Sequence, residues 1–111
     1  MSGYNGGMDI PEPILKLREA LEQIYGSRLK HVILYGSYAR GTQNPGSDID
    51  VAVVLDGDVK PGREIDRMID AITDLNLAYS TLISVYPVSA TDYRSRNSPL
   101  LINLRNEGIA A

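Results

Sequence analysis

The sequence predicts an α/β domain in which helices pack on a small mixed sheet. Stretches with the apolar spacing of amphipathic helices alternate along the chain with short, almost entirely apolar stretches that are typical of buried strands. Of the 111 residues, 43% are hydrophobic and 23% are charged, a composition typical of a globular protein and a length typical of one domain. We therefore expect a flexible leader over residues 1–10 and a single domain over residues 11–111.

Charge and composition exclude several classes of function. The net charge of −3 gives no general attraction to nucleic acid or to an anionic membrane, so neither is expected as a partner. The chain has no cysteine, which excludes disulfides and thiolate metal sites and fits a reducing compartment. Its longest apolar runs are far too short to span a membrane, and its first residues lack a signal-peptide pattern. A cytoplasmic protein is the prediction.

Residue spacing predicts the first helix and the first strand. The chain enters a helix at Pro11 and Pro13 and leaves it at Gly26, a usual C-terminal residue. The apolar residues of this helix recur at helical spacing: Ile14, Leu17, Leu21, Ile24 and Tyr25. Residues 29–35 follow as a strand, and their apolar run favours burial on both faces.

A Gly-Ser turn follows this strand and is a candidate phosphate site. Gly36 has no Cβ, so a phosphate group could approach the backbone closely. Ser37 could cap a short helix that continues to Arg40, leaving backbone amides aimed at an anion, and Arg40 could add positive charge. The alternative is a tight connection between a strand and a helix, with a solvated arginine.

Two aspartates open the second apolar strand. A loop over residues 41–47, with its turn at residues 44–46, leads into a strand over residues 48–55. Asp48 and Asp50 are two residues apart, so their side chains point to the same face of a strand. Asp48 could instead cap the turn. Asp50 lies inside the apolar run, where a carboxylate needs a partner, and a bound Mg²⁺ would supply one.

The third strand and the helices around it complete the domain. A helix begins at Pro61, and its predicted buried face carries Ile65, Met68, Ile69, Ile72 and Leu75. Its charged residues are assigned to the exposed face without a function: Arg63, Glu64, Asp66, Arg67 and Asp70. Residues 81–88 read as a strand, with Pro87 tolerated because the strand lies at a sheet edge.

The pattern of residues in the last part of the chain predicts a loop followed by a final helix. Residues 89–97 form a polar loop that contains Asp92, Arg94 and Arg96. Ser98 and Pro99 start a helix that ends at Gly108.

The two motifs together resemble the signature of DNA polymerase β-like nucleotidyltransferases. Gly36-Ser37, ten further residues and Asp48-Ile49-Asp50 match the pattern G-S-x10-D-x-D. The longer strings GSYARG (36–41) and SDIDV (47–51) are similar to the minimal nucleotidyltransferase (MNT) branch. The signature covers about 20 residues, and the order of helices and strands extends the resemblance to most of the chain. It implies the polymerase β-like nucleotidyltransferase fold.

The resemblance also implies residue roles. Gly36 and Ser37 would hold the β and γ phosphates of a nucleoside triphosphate, and Arg40 would steady them. Asp48 and Asp50 would be the catalytic residues and would bind two Mg²⁺ ions, for which Mn²⁺ is an alternative. Such ions, about 3.5–4 Å apart, stabilise the attacking and leaving oxygens of an in-line displacement at the α-phosphorus. The products would be a nucleotidylated acceptor and pyrophosphate.

One position departs from the family pattern. Active members usually carry a third carboxylate on the next core strand, which helps to bind the catalytic metal and to activate the acceptor hydroxyl. The predicted strand over residues 81–88 contains no acid. Ser84 is the expected equivalent, and its neutral hydroxyl is a poor base and a weak metal ligand. Asp92, from the following loop, is an alternative source of the carboxylate.

Two functions therefore remain open. In the first, the protein transfers a nucleoside monophosphate, AMP from ATP, to a hydroxyl of a protein or a small molecule. The resemblance to MNT proteins implies a helical HEPN protein as the partner, with this chain as the antitoxin of a toxin–antitoxin pair. In the second, a degenerate module binds nucleotide or neutralises its partner without turnover. We expect the acceptor to be bound by a second protein or across a homo- or hetero-oligomer.

Overall fold

A computed structural model describes residues 10–41 and 48–111, apart from the side chain of Arg40. The predicted leader, up to residue 9, and the predicted turn at residues 44–46 lie outside this part of the chain. A short 3₁₀ turn follows the first helix. The helices and strands occur in the order α1 (Glu12–Tyr25), β1 (Leu29–Tyr35), α2 (Ser37–Arg40), β2 (Ile49–Leu55), α3 (Pro61–Tyr79), β3 (Ile83–Ser89), α4 (Ala90–Ser95), α5 (Pro99–Glu107) and β4 (Ile109–Ala110).

The four strands form one mixed sheet in the order β3-β2-β1-β4. Strand β1 is antiparallel to both β2 and β4, whereas β2 and β3 are parallel and are joined by α3. A parallel pair needs such a crossover connection, because the chain must return to the same end of the sheet. The predicted fold class, a small mixed sheet with flanking helices, is confirmed.

Each face of the sheet is covered by its own helices. Helices α1 and α3 pack on one face, and the buried side chains there include Leu17, Leu34, Val51, Val53 and Met68. Helices α4 and α5 cover part of the opposite face, with Ile33, Ala52, Val54, Val88, Leu101 and Leu104 in the core. Since successive strand residues alternate between these two cores, the central strand β2 is apolar at almost every position.

Local signals set several boundaries where the sequence predicts them. Helix α1 ends at Gly26, which has a φ of 55°, and α5 begins after Ser98, whose hydroxyl accepts a hydrogen bond from the amide of Leu101. Strand β3 lies at the sheet edge, as the position of Pro87 predicts. The side chain of Asn76 accepts a hydrogen bond of 2.9 Å from the amide of Ile83 and so protects that edge.

The predicted loop over residues 89–97 is wrong, because residues 90–95 form helix α4. The hydroxyl of Ser89 accepts a hydrogen bond of 3.1 Å from the amide of Asp92 and caps this helix. A serine followed three residues later by an acid is itself a helix-start signal, which the polar composition of the segment obscured.

The predicted buried face of α3 is also partly wrong. Ile69 is 45% exposed, whereas Glu64 is only 3% exposed and lines up with the buried residues Met68 and Ile72. The buried stripe is therefore rotated towards Glu64. The reason lies on α1, where the hydroxyl of Tyr25 donates a hydrogen bond of 2.8 Å to Oε1 of Glu64. This bond makes burial of the carboxylate tolerable.

Strand β1 is buried only in its second half. Lys30 and His31 are exposed, and the buried run begins at Val32. The short strand β4, which the sequence did not predict, pairs with β1 only at Ile33 and Leu34. In the described ranges 10–41 and 48–111, no helix is long and apolar enough to span a membrane.

Candidate functional site

The candidate site lies at the end of the sheet where β1 ends and β2 and β3 begin. The three strands bring one row of residues together, because Asp50 pairs with Tyr35 of β1 on one side and with Ser84 of β3 on the other. The side chains of directly paired residues project from the same face of a sheet. The site is therefore built by the sheet register, from residues far apart in the sequence.

Asp50 lies on the face opposite helices α1 and α3, and Asp48 directly precedes strand β2. Ile49 is 2% exposed and belongs to the core beneath those helices, and its amide donates a hydrogen bond of 2.8 Å to the carbonyl of Leu82. Because side chains alternate along a strand, the carboxylate of Asp50 belongs to the other face. Asp48 is exposed and Asp50 is half-buried. That the two side chains share one face stays a prediction.

Gly36 lies directly against the carboxylate of Asp50. Its φ of 69° and ψ of −144° fall close to a region that glycine alone occupies readily. A Cβ atom placed on Gly36 would lie 2.5 Å from Oδ2 of Asp50. The absence of a side chain thus has two uses, since it permits this backbone conformation and leaves room for the carboxylate beside the turn.

The short helix after this turn is capped differently from the prediction. Gly36 occupies the N-cap position, so Ser37 is the first helical residue, and no side chain caps the helix. Gly41 ends α2 in the left-handed conformation, with a φ of 73°. The prediction that Ser37 caps this helix is therefore wrong. Arg40 belongs to α2, and its predicted contact with phosphate lies outside the described side chains.

Two tyrosines near the site were not singled out from the sequence: Tyr35, which pairs with Asp50, and Tyr86, which pairs with Ala52. Burial raises the pKa of Tyr35, and electrostatic interactions with Asp50 and Tyr86 raise it further. Both phenols therefore lie within electrostatic reach of each other at this end of the sheet. Tyr35 directly precedes Gly36, which was the one available signal, but the neighbourhood of Tyr86 depends on the pairing of β2 with β3.

The residues present fit a magnesium–phosphate group better than a metal held by protein alone. In the part of the chain that the structure describes, no three side chains of His, Cys, Asp or Glu converge as a metal site. Mg²⁺ does not require such a cage, because it is usually bound through one or two carboxylates together with substrate phosphates. Asp48 and Asp50 are two such carboxylates, and the one of Asp50 lies directly against the Gly36 turn.

Ser84 occupies the position next to Asp50 on β3, but Asp92 does not lie nearby. Asp92 lies in α4, which begins after Ser89 at the far end of β3, and Ser89 is about 17 Å from Ser84 for five residues at about 3.3 Å each. Oδ2 of Asp92 is 3.4 Å from Nη1 of Arg96. Both residues line a cavity of about 500 Å³ at that far end, together with Asp58 and Thr91. The suggestion that Asp92 supplies the third carboxylate is therefore wrong.

Comparisons with known proteins agree with this geometry. The model of the nucleotidyltransferase domain family matches residues 14–96. A protein of Methanocaldococcus jannaschii named "putative protein adenylyltransferase" is 40% identical over 77 residues, which cover 69% of this chain and 71% of the relative. Among solved structures, a chain from a toxin–antitoxin complex with AMP-PNP is 25% identical, with a TM-score of 0.62 over 89% of this chain and 69% of that chain.

A second solved structure shares the fold at lower identity. It contains the tri-AMPylated HEPN toxin of Shewanella oneidensis in complex with its MNT antitoxin. The matching chain is 18% identical, with a TM-score of 0.51 over 88% of this chain and 70% of that chain.

Proposed function

The chain belongs to the nucleotidyltransferase domain family, and on that premise we propose that it transfers AMP from ATP to a hydroxyl group of a protein. The observation that carries the proposal is the contact between the Gly36 turn and the carboxylate of Asp50. This contact joins the two halves of the signature, which are separated along the chain, into one site. The adenylyl group and the protein acceptor are supported by the relative named as a protein adenylyltransferase.

Each residue of the site has a proposed role. The turn at Gly36 and Ser37 binds the β and γ phosphates, and Arg40 steadies the triphosphate. Asp48 and Asp50 bind two Mg²⁺ ions, which supply electrostatic stabilisation of the attacking and leaving oxygens. The half-buried position of Asp50 strengthens its interaction with a cation, because charges interact more strongly where water is partly excluded.

The proposed partner and acceptor is a HEPN-type helical protein. Two solved structures that resemble this chain are toxin–antitoxin complexes, one with AMP-PNP and one with an AMPylated HEPN toxin. By that analogy this chain is an antitoxin that modifies its toxin.

Transfer of labelled AMP tests the proposal. The protein is incubated with each of four α-³²P-labelled nucleoside triphosphates and Mg²⁺ or Mn²⁺, with and without the protein encoded by the neighbouring gene. We expect label on protein from ATP, reduced at least about 100-fold by Asp48→Asn or Asp50→Asn. Asp56→Asn is the matched control, because it makes the same change at an exposed position just beyond the other end of β2. Equal labelling by wild type and Asp50→Asn would refute the assignment.

A second function is favoured by Ser84, since a serine lies where a third carboxylate is expected. In this alternative the site binds nucleotide or neutralises the partner without turnover. In that case we expect Mg²⁺-dependent binding of a fluorescent ATP analogue, which is lost in Asp50→Asn, and no transfer of label to any acceptor. Transfer of label by the wild-type protein would exclude the alternative.

A further inference from the structure

Beside Asp50, one face of β3 carries Ser84 and Tyr86, and Leu82 directly precedes the strand; we call these three residues the β3 strip. Ser84 pairs with Asp50, and Tyr86 pairs with Ala52 two residues further along the same face. The carbonyl of Leu82 extends the ladder to Ile49, and the side chain of Leu82 is 54% exposed. The strip therefore borders the carboxylates along a strand that lies at the edge of the sheet.

The position of the strip places it next to the acceptor under the proposed function. Gly36 lies on the β1 side of Asp50, where the triphosphate is proposed to bind. In an in-line displacement, the attacking oxygen approaches the phosphorus from the side opposite to the leaving pyrophosphate. Since β3 lies on the other side of β2, the acceptor hydroxyl approaches along the β3 strip.

The side chains of the β3 strip can orient a hydroxyl but are poorly suited to take its proton. Leucine has no ionisable group, and the hydroxyls of serine and tyrosine are poor bases. Asp92 is separated from Ser84 by most of β3. The sequence of residues 42–47, TQNPGS, contains no acid and no histidine.

We propose that the group that takes the proton belongs to the acceptor protein, which presents a carboxylate or an imidazole beside the hydroxyl to be modified. This inference rests on the proposed function and narrows its substrate class. The acceptor oxygen forms a bond to the α-phosphorus, and the bond from that phosphorus to the oxygen between the α and β phosphates breaks. The proton of the acceptor hydroxyl passes to the carboxylate or imidazole of the acceptor, and pyrophosphate leaves with the bonding electron pair.

The position of Ser84 makes this inference testable without the natural acceptor. The probes are N-acetylserinamide and N-acetyltyrosinamide, which present a hydroxyl without a neighbouring base. We expect the wild-type rate of AMP transfer to these probes to rise with imidazole concentration at fixed pH and ionic strength. In Ser84→Asp, the strip carries its own carboxylate. Transfer should then be faster by about 100-fold or more without imidazole and should respond little to its addition.

Ser80→Asp is the matched control, because it places the same carboxylate at the exposed end of α3, outside the β3 strip. It should behave as the wild type does. The number of Mn²⁺ ions bound in the presence of a non-hydrolysable ATP analogue is measured for wild type and for Ser84→Asp. If wild type and Ser84→Asp bind the same number of Mn²⁺ ions, the faster transfer by Ser84→Asp is due to its new carboxylate acting as a base.

Two results would overturn the inference. One is a wild-type rate that does not depend on imidazole and lies within about threefold of the Ser84→Asp rate. The other is a faster Ser84→Asp that binds one more Mn²⁺ ion, together with a wild type that does not respond to imidazole. Failure of the proposed function looks different, because Mg²⁺-dependent binding of the ATP analogue, and its loss in Asp50→Asn, would then be missing as well.

Discussion

Replacement of Gly36 by alanine tests the contact on which the site depends. The new Cβ would lie 2.5 Å from Oδ2 of Asp50, closer than a non-bonded contact allows. The backbone conformation itself would cost about 1–3 kcal/mol in a residue with a side chain. Forcing an atom into packed surroundings adds about 1–3 kcal/mol, so we expect Gly36→Ala to lower the free energy of unfolding by about 2–6 kcal/mol.

Gly26→Ala is the matched control, because it separates strain from the clash. Gly26 has a φ of 55° and a ψ of −129°, near the values of 69° and −144° at Gly36. A Cβ on Gly26 would meet no atom within 4 Å. Gly26→Ala should therefore lose only the strain term of about 1–3 kcal/mol. Urea unfolding followed by circular dichroism measures both variants.

A double-mutant cycle isolates the clash with the carboxylate. Adding Asp50→Ala to Gly36→Ala removes the atom that the new Cβ meets, so about 1–3 kcal/mol of the loss should be recovered. The same addition to Gly26→Ala should be additive within about 0.5 kcal/mol. Equal losses in the two alanine variants, together with unchanged Mg²⁺-dependent ATP binding by Gly36→Ala, would refute the argument that Gly36 is required by Asp50.

Three further predictions concern the buried Tyr25–Glu64 pair and the far end of β3. Glu64→Ala should lower the free energy of unfolding, measured in urea, by about 1–3 kcal/mol, because it removes the acceptor of the buried Tyr25 hydroxyl. The control Glu19→Ala, at an exposed ion pair, should change the free energy of unfolding by less than about 0.5 kcal/mol. Burial, then the hydrogen bond and charge of Glu64, raise the pKa of Tyr25 from 10.0 to about 12. The protonated Tyr25 hydroxyl therefore stabilises the folded protein fully below pH 10, and this stabilisation is lost as pH rises towards 12. Ultraviolet titration of tyrosine ionisation near pH 12 should show one group fewer in Tyr25→Phe than in the wild type. Asp92→Asn should leave AMP transfer unchanged, and a loss as large as that of Asp50→Asn would contradict the distance between Asp92 and Ser84.

Local residue chemistry accounts for what could be predicted from the sequence. Gly26 and Ser98 lie at helix boundaries because of their own conformational or capping preferences. The local sequence is therefore sufficient to predict these two boundaries. The alternation of apolar stretches likewise predicted β1, β2 and β3, because the burial of a central strand is visible in its composition. The same reasoning failed for α4, where Ser89 and Asp92 carried the signal but the segment as a whole is polar.

Contacts between distant residues could not be predicted in this way. Glu64 was assigned to the exposed face of α3 because its charge opposes burial, and the compensating hydroxyl of Tyr25 lies 39 residues earlier. A helix can rotate its buried stripe by a fraction of a turn to make such a bond, and the spacing of its apolar residues does not reveal the rotation.

The sequence by itself determined which chemical groups the protein has for its proposed reaction: a glycine-serine turn, two aspartates at strand spacing and a serine on the third strand. Only the tertiary structure decided how these groups face one another. Antiparallel pairing places Tyr35 beside Asp50, parallel pairing places Ser84 on its other side, and the turn brings Gly36 against its carboxylate. The physical reason is that strand register is fixed by packing on both faces of the whole sheet, which no short stretch of sequence contains.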